Sequence, residues 1–249
     1  MSAQPIPITV TNRRLVLTQG GKGGTGKTTL LAALVDWYDE HQYAYTLVDL
    51  DTEASKSRGS LIHYFPGRAA KVDIHRPEGL DHLLNILQDG PPVVVADMGA
   101  GAGQIAHKWF DDMYEGAREL GVTFTAIGLV TPDPATVDSV IKWANTLQDR
   151  TDYIIVKNAV NNPSNFDVWE RAELAEQFRQ SLHPRVIEME YHMPSVEGPA
   201  RNHGITMGRV AARQHQVPEL DQPAARLRAQ AYRRHMYAEF DRVKELLLP

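Results

Sequence analysis

The stretch GGKGGTGKTTLL, residues 20–31, constrains this chain more than any other. Its residues 21–28, GKGGTGKT, fit the pattern GxxxxGK[ST], which has meaning only where a strand runs into a loop and the loop opens a helix. Both flanks are present: residues 14–18 (RLVLT) read as a short buried strand and residues 28–40 as a helix. Such a loop binds phosphate. Gly21, Gly23, Gly24 and Gly26 let backbone N–H groups turn inward around a β-phosphate, with Thr25 and Thr29 completing the loop and the first helical turn. The helix N-terminus adds partial positive charge. Lys27 is placed to reach the β- and γ-phosphates, and the Thr28 hydroxyl to ligate Mg²⁺. A chance match arises in about one chain of this length in a hundred on average residue usage, and the correct flanks make it rarer still.

Apolar, strand-like runs alternate with helical patterns along the rest of the chain. Strands are expected at 43–50, 92–96, 122–130, 153–156 and 185–189, and helices at 80–87, 104–120, 135–148 and 166–182. Continuously apolar strands separated by helices imply an α/β fold: a single doubly wound P-loop domain over residues 1–249, with a mostly parallel central sheet flanked by helices. At 249 residues such a domain buries a full core without staples. In open sheets of this kind the ligand sits at the carboxyl ends of the strands. Asp97 ends the PVVVA strand, and Asp49 and Asp51 end the VDLDT strand. A Mg²⁺–triphosphate site needs carboxylates near the metal and one group to orient the attacking water. Asp51 also suits a turn or a helix N-cap.

Composition removes other chemistries. The chain has no cysteine, so disulfides, thiolate zinc sites and cysteine-held iron–sulfur clusters are excluded. The first fourteen residues lack an apolar signal core, and no run approaches the ~20 apolar residues of a membrane span. A cytoplasmic protein is expected. The ten histidines form no HxH, HxxxH or HExxH pattern and read as surface or turn residues. Trp37, Trp109, Trp143 and Trp169 sit in helical segments, where amphipathic packing accounts for them.

The loop carries a second lysine, Lys22, five residues before Lys27. The run KGGTGKT resembles the deviant Walker A motif of the ParA/MinD family of dimerising ATPases. The resemblance implies that Lys22 crosses a dimer interface to the partner's nucleotide while Lys27 acts in cis, so that ATP binding forms a homodimer. VDLDT looks like the family's switch I, which assigns Asp51 to orienting the hydrolytic water. DMGAG, residues 97–101, looks like switch II, with Asp97 on Mg²⁺ through water and Gly101 as γ-phosphate sensor. TPDPATVDSV, residues 131–140, is similar to the TPEP-like turn of MinD-type members. Asn158 falls where the family has a base-reading asparagine, and Pro194 in the loop that closes over the base. Thr52 and Glu53 depart from the usual residues after DxD, and the double proline of chromosomal ParA is absent. These features look like the small plasmid-encoded StbB/TraL branch.

The C-terminal segment, 223–248, reads as a basic amphipathic helix. Ala225, Ala229, Tyr232, Met236, Phe240, Val243 and Leu247 recur at three- and four-residue steps, and basic residues flank them. From 223 to 249 there are six Lys/Arg against three Asp/Glu, although the whole chain carries −5. A core-packed helix with a charged rim is the plain explanation. Non-specific DNA binding is the functional alternative, and a membrane-surface helix a weaker one. The resemblance implies an ATP- and Mg²⁺-dependent, slowly hydrolysing ATPase. It would position or segregate cargo in plasmid partition or conjugation, with an activator protein as partner. A metabolic phosphoryl-transfer enzyme of the amidoligase or dethiobiotin-synthase type, and a switch without appreciable hydrolysis, are the competing readings.

Overall fold

The computed structural model describes residues 12–19, 21–50, 60–73, 76–99, 103–161, 164–191 and 193–249. Asp51, Thr52, Glu53 and Gly101 lie outside the described residues.

Seven strands form one sheet: β1 (Arg13–Thr18), β2 (Tyr45–Asp49), β3 (Ala69–Lys71), β4 (Val93–Asp97), β5 (Val122–Val130), β6 (Asp152–Asn158) and β7 (Arg185–Met189). Their spatial order is β3-β2-β4-β1-β5-β6-β7. Every pairing is parallel, where the sequence implied a mostly parallel sheet. Parallel neighbours require crossovers, and helices supply them. These are α1 (Lys27–Glu40), α2 (Leu61–Tyr64), α3 (Pro77–Asp89), α4 (Gly103–Glu119), α5 (Pro134–Leu147), α6 (Asp167–Arg171), α7 (Glu173–Leu182), α8 (Pro194–Asn202), α9 (Met207–Ala211) and α10 (Pro223–Asp241).

Alternation along β1 divides the core. Val16 faces a layer with Leu30, Leu34 and Trp37 of α1 and Met236 and Phe240 of α10. Leu15 and Leu17 face the opposite layer, with Phe110 of α4 and Val140 and Trp143 of α5. Because both faces are covered, the central strands are buried almost throughout, which is why they read as unbroken apolar runs. Each fully buried aliphatic or aromatic side chain contributes roughly 1.5–3 kcal/mol. The position of β1 between β4 and β5 makes its carboxyl end the point where connections leave in opposite directions, the usual ligand crevice of such sheets.

Two expectations are corrected. The single helix at 166–182 is two helices, α6 and α7, because Ala172 is extended (φ −67°, ψ 127°). The Arg179 guanidinium then donates to the carbonyls of Trp169 (2.6 Å) and Glu170 (3.0 Å), satisfying the end of α6. The C-terminal helix stops at Asp241 rather than 248, and a 3₁₀ turn follows at Lys244–Leu246. The apolar stripe nevertheless stays buried through Val243 and Leu247. The Thr125 hydroxyl donates to Leu246 O (2.6 Å) and the Tyr38 hydroxyl to Leu247 O (2.8 Å), holding the last turn against the core. No described histidine is buried: the half-buried His107 ring lies edge-on to Trp143 at 4.2 Å, and the exposed His41 stacks on Tyr43. All four tryptophans lie in helices, as expected, and Trp37, Trp143 and Trp169 are buried.

Candidate phosphate and metal site

The loop between β1 and α1 turns on left-handed glycines: φ is +135° at Gly21, +74° at Gly24 and +94° at Gly26. Two of them are also required by space. A Cβ on Gly21 would collide with the Ser139 hydroxyl, and one on Gly26 would stand 2.6 Å from Asn158 Nδ2. Gly23 and Gly24 have nothing within 4 Å of a Cβ position, so the outer side of the loop is open. Gly26 is the N-cap of α1, with no side-chain cap and no acidic residue in the first turn. The partial positive charge of that helix end is therefore not offset from within the helix and is available to an anion.

Lys27 Nζ donates to the carbonyl of Lys22 at 3.0 Å, placing its ammonium at the loop. Lys22 points elsewhere in the same chain. Its ammonium pairs with the Asp133 carboxylate, which also caps α5 by accepting from Ala135 N at 3.0 Å. The lysine holds the Asp133 carboxyl below its ordinary value, assisted by the cap hydrogen bond. Both partners are exposed by more than two-fifths (44% and 42%), so the pair is solvated and easily exchanged.

Thr28 Oγ1 donates to Asp97 Oδ2 at 2.6 Å, and Thr18 Oγ1 to Asp97 Oδ1 at 3.1 Å. Thr18 in turn accepts from Met98 N at 2.9 Å. Asp97 is buried, and burial pushes its carboxyl up to about 6. The threonine hydrogen bonds and Lys27 oppose the rise, and the neighbouring Asp49 charge adds to it. The β2–β4 register sets Asp49 beside Asp97. Asp49 is fully buried and paired with the Lys71 ammonium of β3 at 3.1 Å. The donor set fits a hard cation: a hydroxyl, a carboxylate already bonded to it, and a second carboxylate one strand away. With an open glycine loop, a lysine and a bare helix N-terminus alongside, the residues fit a Mg²⁺-bound nucleoside phosphate. Thr28 and Asp97 would hold the ion, and the loop N–H groups and Lys27 the phosphates. Asp49 is engaged by Lys71 and stands behind that pair.

Asn158, at the end of β6, is buried, and its Nδ2 donates to Thr25 O at 2.8 Å. The side chain expected to read a base ties down the phosphate loop. Met189 of β7 supports the same spot, within 3.2 Å of a Cβ placed on Gly26. Pro194 occupies the first turn of α8, behind Met193, which is 39% exposed. Sequence reasoning missed Thr18, Lys71 and Asp133 as partners of the site. Thr18 carried a usable clue, since it ends the strand that enters the loop. Asp133 lies in the TPDP turn singled out in the sequence, without its pairing being legible there, and Lys71 carried no clue, being a polar residue whose proximity only the topology creates. A cavity of about 570 Å³ lies elsewhere, between the C-terminal half of α1 and α9–α10, where Asp36, Arg209 and Arg233 line it. Among the described residues, no cluster of histidines or carboxylates forms another metal site.

The sequence matches the family model "CobQ/CobB/MinD/ParA nucleotide binding domain" over residues 16–183. Among solved structures, the MinD cell division protein of Aquifex aeolicus superposes with a TM-score of 0.52 at 16% identity, covering 95% of this chain and 99% of that one. The septum site-determining protein MinD of Pyrococcus horikoshii, complexed with Mg-ADP, gives 0.51 at 16% identity, covering 94% and 98%. At such identities the likeness is one of fold. No curated protein is significantly similar in sequence.

Proposed function

Because this chain belongs to the CobQ/CobB/MinD/ParA nucleotide-binding family, we propose that it is an ATP-dependent, dimerising ATPase that positions or segregates cargo, in plasmid partition or conjugation. ATP and Mg²⁺ are its cofactors. The loop N–H groups and Lys27 bind the phosphates in cis, and Thr28 and Asp97 hold the ion. When bound, Mg²⁺ neutralises charge on the β- and γ-phosphates. Asp51 orients the attacking water, Gly101 senses the γ-phosphate, and Asn158 and Pro194 bound the base. Hydrolysis is slow and times the separation of the protomers.

The observation that carries this reading is Lys22. A P-loop that works alone needs one lysine, and this loop has two. The second is exposed and rests on Asp133 in a solvated ion pair. Such a pair is worth little, so a triphosphate presented by another protomer competes for the lysine effectively. Charge delivered from another chain then stabilises the transition state in the manner of an arginine finger. Metabolic members of the family need no lysine in this position. A membrane-bound positioning ATPase of the MinD type shares the whole nucleotide site. The buried stripe of α10 favours a polyanion over a membrane as the surface used, with an activator protein completing the cycle.

Sedimentation velocity with and without Mg-ATP tests the proposal. The wild-type protein is expected to shift to a dimer. Lys22→Ala is expected to retain Mg-ATP binding while losing the dimer and at least tenfold of its turnover. A Lys22→Ala protein that dimerises and hydrolyses like wild type would sink the trans role.

A further inference from the structure

Gln19 lies between the end of β1 and the phosphate loop. Its backbone N–H donates to Ile127 O at 2.8 Å. Its side chain is 5% exposed, and neither Oε1 nor Nε2 has a hydrogen-bond partner among the described residues. Buried polar atoms left in that state are costly, and one that persists calls for an explanation. The fold keeps the amide where it is. On the neighbouring strand, a Cβ on Gly128 would stand 2.6 Å from Gln19 Oε1 and 2.8 Å from Val140 Cγ2, so only glycine leaves room for this side chain.

Gln19 lines a cavity of about 10 Å³ at the loop together with Lys22, Thr25, Lys27, Thr136 and Ser139. That volume is at the threshold for a single water, so the space is no ligand site. Its importance is what borders it. The Lys22 carbonyl accepts its hydrogen bond from Lys27 Nζ. A bound phosphate takes that ammonium, and the Lys22 carbonyl then loses a donor. Gln19, whose Nε2 has no acceptor among the described residues, lines the same cavity as Lys22. The buried amide lacks a partner, and the exposed carbonyl that Lys27 releases becomes an acceptor for it if the two meet.

We propose that Gln19 is a positioning residue for phosphate binding: its amide takes over the Lys22 carbonyl as Lys27 turns to the nucleotide. Occupancy of the loop is thereby linked to satisfying a buried side chain. Gln19 touches no phosphate itself and acts through the loop backbone. The inference rests on the reading of the loop as a nucleoside triphosphate site.

The test compares the full-length wild type with Gln19→Met, which keeps the volume and removes both polar atoms. Calorimetry gives the Mg-ATP affinity, and thermal unfolding without nucleotide gives the midpoint. The expected result is a nucleotide-free midpoint that is unchanged or higher, with Mg-ATP bound about tenfold more weakly, the order of one lost hydrogen bond. A side chain that merely fills space leaves the affinity at the wild-type value whatever the midpoint does, and that result overturns the proposal. A lower midpoint together with weaker binding also overturns it, because general loosening explains both. Gln19→Leu carries the same comparison should the methionine variant fold poorly. If the wild type itself does not bind Mg-ATP, the nucleotide reading falls and this inference with it. If the wild type binds and the variants match it, only the role of Gln19 falls.

Discussion

Asp97 shows most directly how residue-level physics shapes this site. A carboxylate pulled wholly out of water resists ionisation, and Asp97 has two hydroxyl donors and one lysine to offset that cost. In the unfolded chain it holds a proton only below about pH 4. In the folded protein it holds one up to about pH 6. Between those values the native state binds more protons than the unfolded state, so this residue makes the nucleotide-free protein less stable as pH rises through the window. The loss is on the order of 2–3 kcal/mol, since each pH unit between the two values contributes about 1.4 kcal/mol. Denaturant midpoints at pH 4.5 and 7.0 check this: Asp97→Asn is expected to flatten that part of the profile, and an unchanged slope would refute the assignment. Much of the residue-level site is legible in the sequence, because glycine, lysine and threonine in fixed spacing have few other uses. What is not legible is partnership. Asn158 is recognisable as a polar residue ending a strand, but that its Nδ2 donates to Thr25 O depends on β6 lying two strands from β1.

At the scale of elements, long periodic segments are legible and short ones are not. The strand expected at 122–130 is β5 to the residue, and the helices expected at 104–120 and 135–148 are displaced by a single position. Elements α2, β3 and α9, of four, three and five residues, are too short for periodicity to register. Helix α8 contains Pro199, a residue that argues against a helix from sequence alone. The extended break at Ala172 is invisible to a hydrophobic pattern that continues in phase through it. In the C-terminal segment the pattern has the right phase and overstates the length. Its last turn belongs to the core: Val243 and Leu247 are buried, and the Trp37 indole donates to Asp241 Oδ1 at 3.0 Å. Removing residues 242–249 is expected to cost roughly 3–6 kcal/mol, two buried aliphatic side chains' worth. Urea unfolding measures this, and a truncated protein as stable as the intact one would mean that the turn is merely laid on the surface.

Over the whole molecule, charge is distributed unevenly. The chain carries −5, and among the described residues no helix is long and apolar enough to cross a membrane. On α10, Arg226, Arg228, Arg233 and Arg234 make no salt bridge among the described residues, although Arg233 lies over the Tyr237 ring; beyond the helix, Arg242 is paired with Glu239 and Lys244 lies over the Tyr43 ring. The basic rim is therefore narrower than the sequence suggested and centred on the middle of the helix. If it neutralises phosphates, ATP-loaded protein is retained on duplex DNA at about 50 mM salt and released by about 200 mM. Replacing Arg228 and Arg234 by glutamine is then expected to lower the slope of log K against log salt by about two, with the thermal midpoint unchanged. Protein that passes through a DNA column at low salt would exclude this surface.

The last turn of the chain also settles a matter of geography. Leu246 O is held by Thr125, and Arg14 in the first strand reaches toward it at 3.5 Å. This brings the end of the chain beside the start of β1, at the amino pole of the sheet. The phosphate loop leaves the opposite end of that strand. A fluorophore or a surface-coupling tag placed at the C-terminal end therefore sits at the far pole from the nucleotide. Immobilising the molecule there leaves the phosphate loop turned outward.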